Sequence, residues 1–89
     1  MEGLTEGRIV HYVLSNGEHR PAIVVRDWSN STLGSYPDGT VNLQVFTDGS
    51  NDKGAVHGNV SEQGLLWATS VHHDPAGDVH HTWHWIEKA

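Results

Sequence analysis

The chain has 89 residues, which supports one domain rather than two. Eleven Asp and Glu against five Lys and Arg give a formal charge of −6, and there is no cysteine. Disulfides and thiolate metal sites are therefore excluded, and a nucleic-acid partner, which needs clustered bases, is disfavoured. A domain this small buries only roughly 60–65 % of its unfolded surface. It must gain stability from close packing, self-association or a His-based metal site.

The elements read as strands from end to end. Residues 8–14, RIVHYVL, are β-branched and aromatic, and 19–28, HRPAIVVRDW, form the return strand of a hairpin. Asn16-Gly17 predicts a two-residue type I′ turn. That turn sets Leu14 opposite His19, Tyr12 opposite Pro21 and Val10 opposite Ile23. It leaves Ile9, His11, Val13, Ala22 and Val24 on the other face. Both faces are then apolar, which predicts burial within a curled fold or against a second copy.

Residues 29–40 read as a polar loop ending in Pro37-Asp38-Gly39. Residues 41–47, VNLQVFT, alternate as a half-buried strand. Residues 53–64 carry three glycines and predict a long loop, a place where function often sits. Residues 65–71, LLWATSV, predict a fourth strand, and 79–87, VHHTWHWIE, a fifth, joined through the turn 74–78. The expected fold is all-β: a small five-stranded antiparallel barrel, SH3-like in outline.

The segments GRIVHYVL, HRPAIVV, VNLQVFTDGSND, LLWATSV and TWHWIE together resemble a family of small, mostly uncharacterised proteins encoded by bacteriophages and prophages. The resemblance spans about two thirds of the chain and omits 29–40, 53–64 and the His-rich stretch 72–81. It implies a viral accessory protein in the cytoplasm of a bacterial host, and it brings no catalytic residues with it. The N-terminal residues lack a basic, apolar leader pattern, and no stretch approaches the roughly 20 apolar residues of a membrane helix. A cytoplasmic protein with no membrane association is expected.

Eight histidines stand out. A turn centred on Ala76-Gly77 would set His73 opposite His80 and His72 opposite His81, close enough for each pair to chelate one ion, with Asp74 or Asp78 completing the site. His80 and His84, four residues apart on one strand face, are too distant to share an ion. A solvated hairpin tip is the simpler reading, so no metal and no cofactor are assigned. Ser70, His72 and Asp74 alternate along one strand and cannot converge as a triad. The chain is read as non-enzymatic.

Of the four tryptophans, Trp67 is expected in the core. Trp83 and Trp85 share a strand face and could stack a base. Trp28 opens a polar loop beside Arg26, with Arg20 on the same hairpin. Arg20, Arg26, Trp28, Trp83 and Trp85 are the expected ligand-binding residues, suited to a small anionic, nucleotide-like ligand such as a host defence signal. The alternatives are inhibition of a host protein through the same aromatic surface, or a minor role in the virion. The apolar first hairpin further predicts a homo-oligomer.

Overall fold

Apolar residues alternating with polar ones across consecutive segments can bury one side only by pairing into a sheet. The structure, a computed structural model describing residues 1–30, 34, 36–56 and 60–87, has this form. Its strands are β1 (Ile9–Val13), β2 (His19–Asp27), β3 (Val41–Phe46), β4 (Leu65–Val71) and β5 (Trp83–His84). They make one antiparallel sheet in the order β4-β3-β2-β1-β5. Short 3-10 turns follow at Trp28–Asn30 and Gly49–Asp52. No helix among the described residues is long and apolar enough to cross a membrane.

One face carries the core. Val10, Tyr12, Leu14, Ala22, Val24, Val41, Leu43, Val45, Leu66, Ala68, Val71 and Trp83 are all buried there. Facing partners such as Val24 and Leu43, or Val45 and Leu66, interdigitate across the ladders. The Trp83 indole is fully buried, and its N–H donates to the Gly39 carbonyl at 2.6 Å. Among the described residues no ladder joins β4 to β5, so the sheet is open and the expected barrel closure is not seen.

The first hairpin departs from the expected register. Gly17 N–H donates to the Leu14 carbonyl at 2.9 Å, and Leu14 N–H to the Glu18 carbonyl at 2.8 Å. Ser15, Asn16 and Gly17 therefore form a three-residue loop, with Gly17 supplying the positive φ of 85° that such a loop needs. The Asn16 side chain accepts the Glu18 N–H and holds the turn. Val13 sits opposite His19, Tyr12 opposite Arg20 and His11 opposite Pro21. A one-residue slip exchanges the faces of one strand relative to the other.

The fifth strand is two residues long instead of nine. The cause is local. The Asp74 carboxylate accepts the N–H groups of Asp78 and Val79 at 3.0 and 2.9 Å, winding 74–79 into a tight turn instead of a strand end. Thr82 donates to the Val79 carbonyl, and His81 takes a positive φ of 64°. The chain then returns so that His73 bridges Trp83 in parallel, and the predicted cross-strand histidine pairs never form.

Trp67, expected in the core, is 52 % exposed. It stands opposite Gln44 on the face away from the core, between the inward-facing Leu66 and Ala68.

Candidate metal centre

The slipped hairpin register has a chemical consequence. His11 and Val13 share one face of β1, and Val13 faces His19, so His11 and His19 lie diagonally on the same face. β5 pairs on the other side of β1 and sets His84 directly opposite His11. The chain then turns to bring Glu87 over the three rings. Ring centroids lie 6.1 Å apart for His11–His19, 5.8 Å for His11–His84 and 4.6 Å for His19–His84.

Glu87 is the hub. Its Oε2 meets His11 Nδ1 at 2.5 Å, and its Oε1 meets His19 Nδ1 at 2.5 Å and also His84 Nε2. Partial burial pushes the Glu87 carboxyl up. Its own backbone N–H and the imidazoles of His84, His11 and His19 outweigh that, and the pKa falls to about 2. The carboxylate is therefore ionised across the physiological range.

One atom from each of His11, His19, His84 and Glu87 lies within 4.8 Å of the others. A tetrahedral Zn²⁺ with bonds of about 2.0–2.1 Å holds its ligands roughly 3.3–3.4 Å apart, so modest contraction closes the set. Three imidazoles and a carboxylate suit Zn²⁺, Ni²⁺, Co²⁺ or Cu²⁺, and suit neither an all-oxygen Ca²⁺ site nor a thiolate-seeking Cu⁺ site. A bound ion would take the place of the direct contacts that link the rings to Glu87.

The surroundings pre-set the ligands. His19 Nε2 lies 3.2 Å from the Gly77 carbonyl, which accepts its proton and leaves Nδ1 directed at the cluster. Such outer-shell bonds orient ligating histidines and fix their tautomer. His84 is 3 % exposed, and its Nδ1 is buried with no hydrogen-bond partner among the described residues. The ring's single polar engagement is thus at Nε2, toward Glu87. Gly77, held by the Asp74 turn, stands beside that ring with no room for a side chain between them. The Asp74 carboxyl is kept below its ordinary value mainly by the Val79 N–H, joined by those of Asp78 and Ala76.

The residues expected to bind a ligand, and the histidines weighed as metal ligands, fall elsewhere. Of those histidines, His73 lies against Trp83 with ring centroids 4.4 Å apart and His81 Nδ1 bonds the Tyr12 hydroxyl at 2.8 Å. His72 lies 3.5 Å from Thr40 Oγ1, and His80 is exposed beside His81. The expected ligand-binding residues are divided among separate places. Arg20 grips Asp52 through Nε and Nη2 at 2.8 and 2.9 Å and also reaches Glu18. Arg26 lies 4.1 Å over the Trp28 ring, which touches Tyr36 and donates its N–H to Asn42. Trp83 is in the core, and Trp85 meets it edge-on with Arg8 over its ring at 5.5 Å. Residues 31–33, 35 and 57–59 of the two loops considered for function lie outside the described residues.

Sequence reasoning missed His11, His19 and Glu87 and set His84 aside. A signal was available in the single-residue ambiguity of the Asn16-Gly17 turn: a three-residue loop puts both hairpin histidines on one face. Glu87 has no such signal, being 76 residues from His11 in sequence. Comparison of the chain with protein-family models, curated proteins and solved structures finds no match.

Proposed function

We propose that this chain is a transition-metal-binding protein, with His11, His19, His84 and Glu87 holding one divalent ion. The observation that carries the reading is the convergence of four donor atoms from β1, β2, β5 and the following segment within 4.8 Å. Adventitious surface histidines rarely come with a buried member, an outer carbonyl partner and a carboxylate shared by all three rings. Here His84 is buried, His19 is held by Gly77, and Glu87 bridges the set.

The ion would also act on the fold. It ties the C-terminal segment to the first hairpin, closing connections of 68 and 76 residues. Binding to the native state alone raises stability by mass action, and preformed sites convert metal affinity into folding free energy. For a thin-cored chain without cysteine this is a natural staple. In the setting implied by the phage-family resemblance, the chain becomes a non-catalytic accessory protein whose small ligand is a cation. Capture of a nucleotide-like anion by Arg26 and Trp28 has less support, because the indole N–H is already bound to Asn42 and Arg26 already covers the ring.

The test is titration of tag-free protein with Zn²⁺, Ni²⁺, Co²⁺ and Ca²⁺ by isothermal calorimetry. One transition-metal ion per chain should bind, with Ca²⁺ silent. His19→Ala and Glu87→Gln should each weaken binding at least tenfold, while His80→Ala leaves it unchanged. Binding that survives both of the first two changes, or vanishes with the third, refutes the assignment.

A further inference from the structure

The seam between the two ends of the sheet is fastened at one point and parted along the rest. Trp83 N–H donates to the His72 carbonyl at 3.0 Å and Asp74 N–H to the Trp83 carbonyl at 2.9 Å, tying the chain just past β4 to β5. Beyond this tie a cavity of about 250 Å³ opens, lined by residues 66–71 and by Tyr12 and His81. The Tyr12 hydroxyl and His81 Nδ1 are bonded at 2.8 Å, and burial pushes the phenol up to about 12, so it stays neutral. Ser70 and His81, with φ of 52° and 64°, are the non-glycine residues of positive φ among those described, and both line this cavity. Backbone strain of this kind persists where the surrounding fold holds it, and it gathers at ligand clamps.

The β4 side of the cavity is an open sheet edge. Thr47 N–H donates to the Gly64 carbonyl on the β3 side, while Leu65 donates to Ser61 Oγ and accepts the Ser61 N–H on the other. Antiparallel pairing alternates bonded and non-bonded pairs, so Trp67, two residues past Leu65, also turns its N–H and C=O away from β3. No strand lies beyond β4 among the described residues. We infer that the seam takes an extended peptide as an added strand, one of its residues exchanging both main-chain hydrogen bonds with Trp67. Size and chemistry select this occupant. The cavity is smaller than the roughly 300–1,000 Å³ of small-molecule sites. An N–H and a C=O on one edge residue are matched by the N–H and C=O of one residue of an extended chain, which returns both bonds. β4 carries no charge and no proline, the usual deterrents to edge pairing. Side chains alternate along the added strand. The residue opposite Trp67 shares its outward face, and the two neighbours point inward, toward the side of Leu66 and Ala68. Those neighbours should be uncharged and β-branched, since no acidic side chain and no basic one other than His81 lines the cavity. The inference does not depend on the metal centre.

Titration of the full nitrogen-15-labelled chain with the blocked peptide acetyl-Thr-Val-Thr-Val-Thr-amide, followed by NMR with EDTA present, tests it. The Trp67 amide signal should shift saturably at millimolar peptide, and its hydrogen exchange should slow at least tenfold. Methylating the three threonine nitrogens removes the donors that face β4 and should abolish both effects. Trp67→Pro deletes the edge N–H without touching a bond to β3, and should weaken binding at least tenfold with unchanged circular dichroism. If Trp67→Pro fails to fold, the methylated peptide decides the matter. A Trp67 amide indifferent to the peptide overturns the inference, as does an equal response to the methylated peptide. So does a Trp67 amide already protected in the free chain and exposed on dilution, which would give the edge to a second copy.

Discussion

Gly77 and His84 leave no room for a side chain between them: a Cβ on Gly77 would lie 3.0 Å from His84 Cε1, 3.2 Å from Nδ1 and 3.3 Å from Nε2. The glycine also has a φ of 72°. Only a residue without a side chain can deliver its carbonyl to His19 while lying against the neighbouring ring. Gly77→Ala should displace the His84 imidazole and disturb the Gly77–His19 bond together. Loss of outer-shell support typically weakens metal binding about 10- to 100-fold, and that is the expected effect in a calorimetric titration. Gly7→Ala is the control. It has a positive φ of 91° and nothing within 4 Å, so it should cost about 1 kcal/mol of backbone strain and leave metal affinity intact. Equal loss of affinity in both variants would show that Gly77 acts only through general stability.

Glu87 makes a prediction in pH. Its folded pKa of about 2 lies below its ordinary 4.5. The folded state therefore favours the ionised carboxylate, and that stabilisation is complete above about pH 4.5 and lost as the pH falls toward 2. In metal-free buffer, Glu87→Gln should melt below the wild type at pH 6, and the two melting temperatures should converge by pH 2–3. Asp52 and Asp74 titrate in the same acid range, so the difference between the two curves is the informative quantity. A constant offset across the whole range would disprove a titrating role for Glu87. Metal binding carries its own pH dependence, because protons compete with the ion for the imidazole nitrogens.

Arg20 holds Asp52 in a two-point grip, and Asp52 is 2 % exposed. The Asp52 carboxylate also accepts the Asp48 N–H at 2.7 Å, fixing the 3-10 turn after β3. Removing Arg20 leaves a buried carboxylate unpaired, a change that costs about 3–5 kcal/mol in a fully dry site and less here because Arg20 is partly solvated. Arg20→Ala should lower the urea midpoint clearly, and Arg20→Ala with Asp52→Asn should recover part of the loss. A single variant within a few tenths of a kcal/mol of the wild type would instead return Arg20 to the surface, available for a ligand.

Much of the fold is legible because the strands are written in strict alternation. Val41, Leu43 and Val45 point inward, and Leu65–Val71 is bounded as expected. The fifth strand was misjudged because Val79 to Trp85 has strand composition, while a single carboxylate, Asp74, spends its hydrogen bonds winding the preceding residues into a turn. Trp67 was misplaced because a large aromatic side chain suits a core and an interface equally well.

The sequence by itself determined the all-β class, the antiparallel pairing of β1 with β2 and the inward positions of β3, since these depend on period-two patterning and on turn residues acting locally. The candidate metal centre was decided only in three dimensions. His11 and His19 share a face because the loop between their strands holds three residues rather than two, a choice of a few hydrogen bonds around Gly17. His84 joins them because β5 adds to the far edge of β1, and Glu87 closes the set from the segment beyond. Strand alternation sets which residues point together along one segment. Register and strand order, which depend on the balance of the whole sheet, set which segments meet.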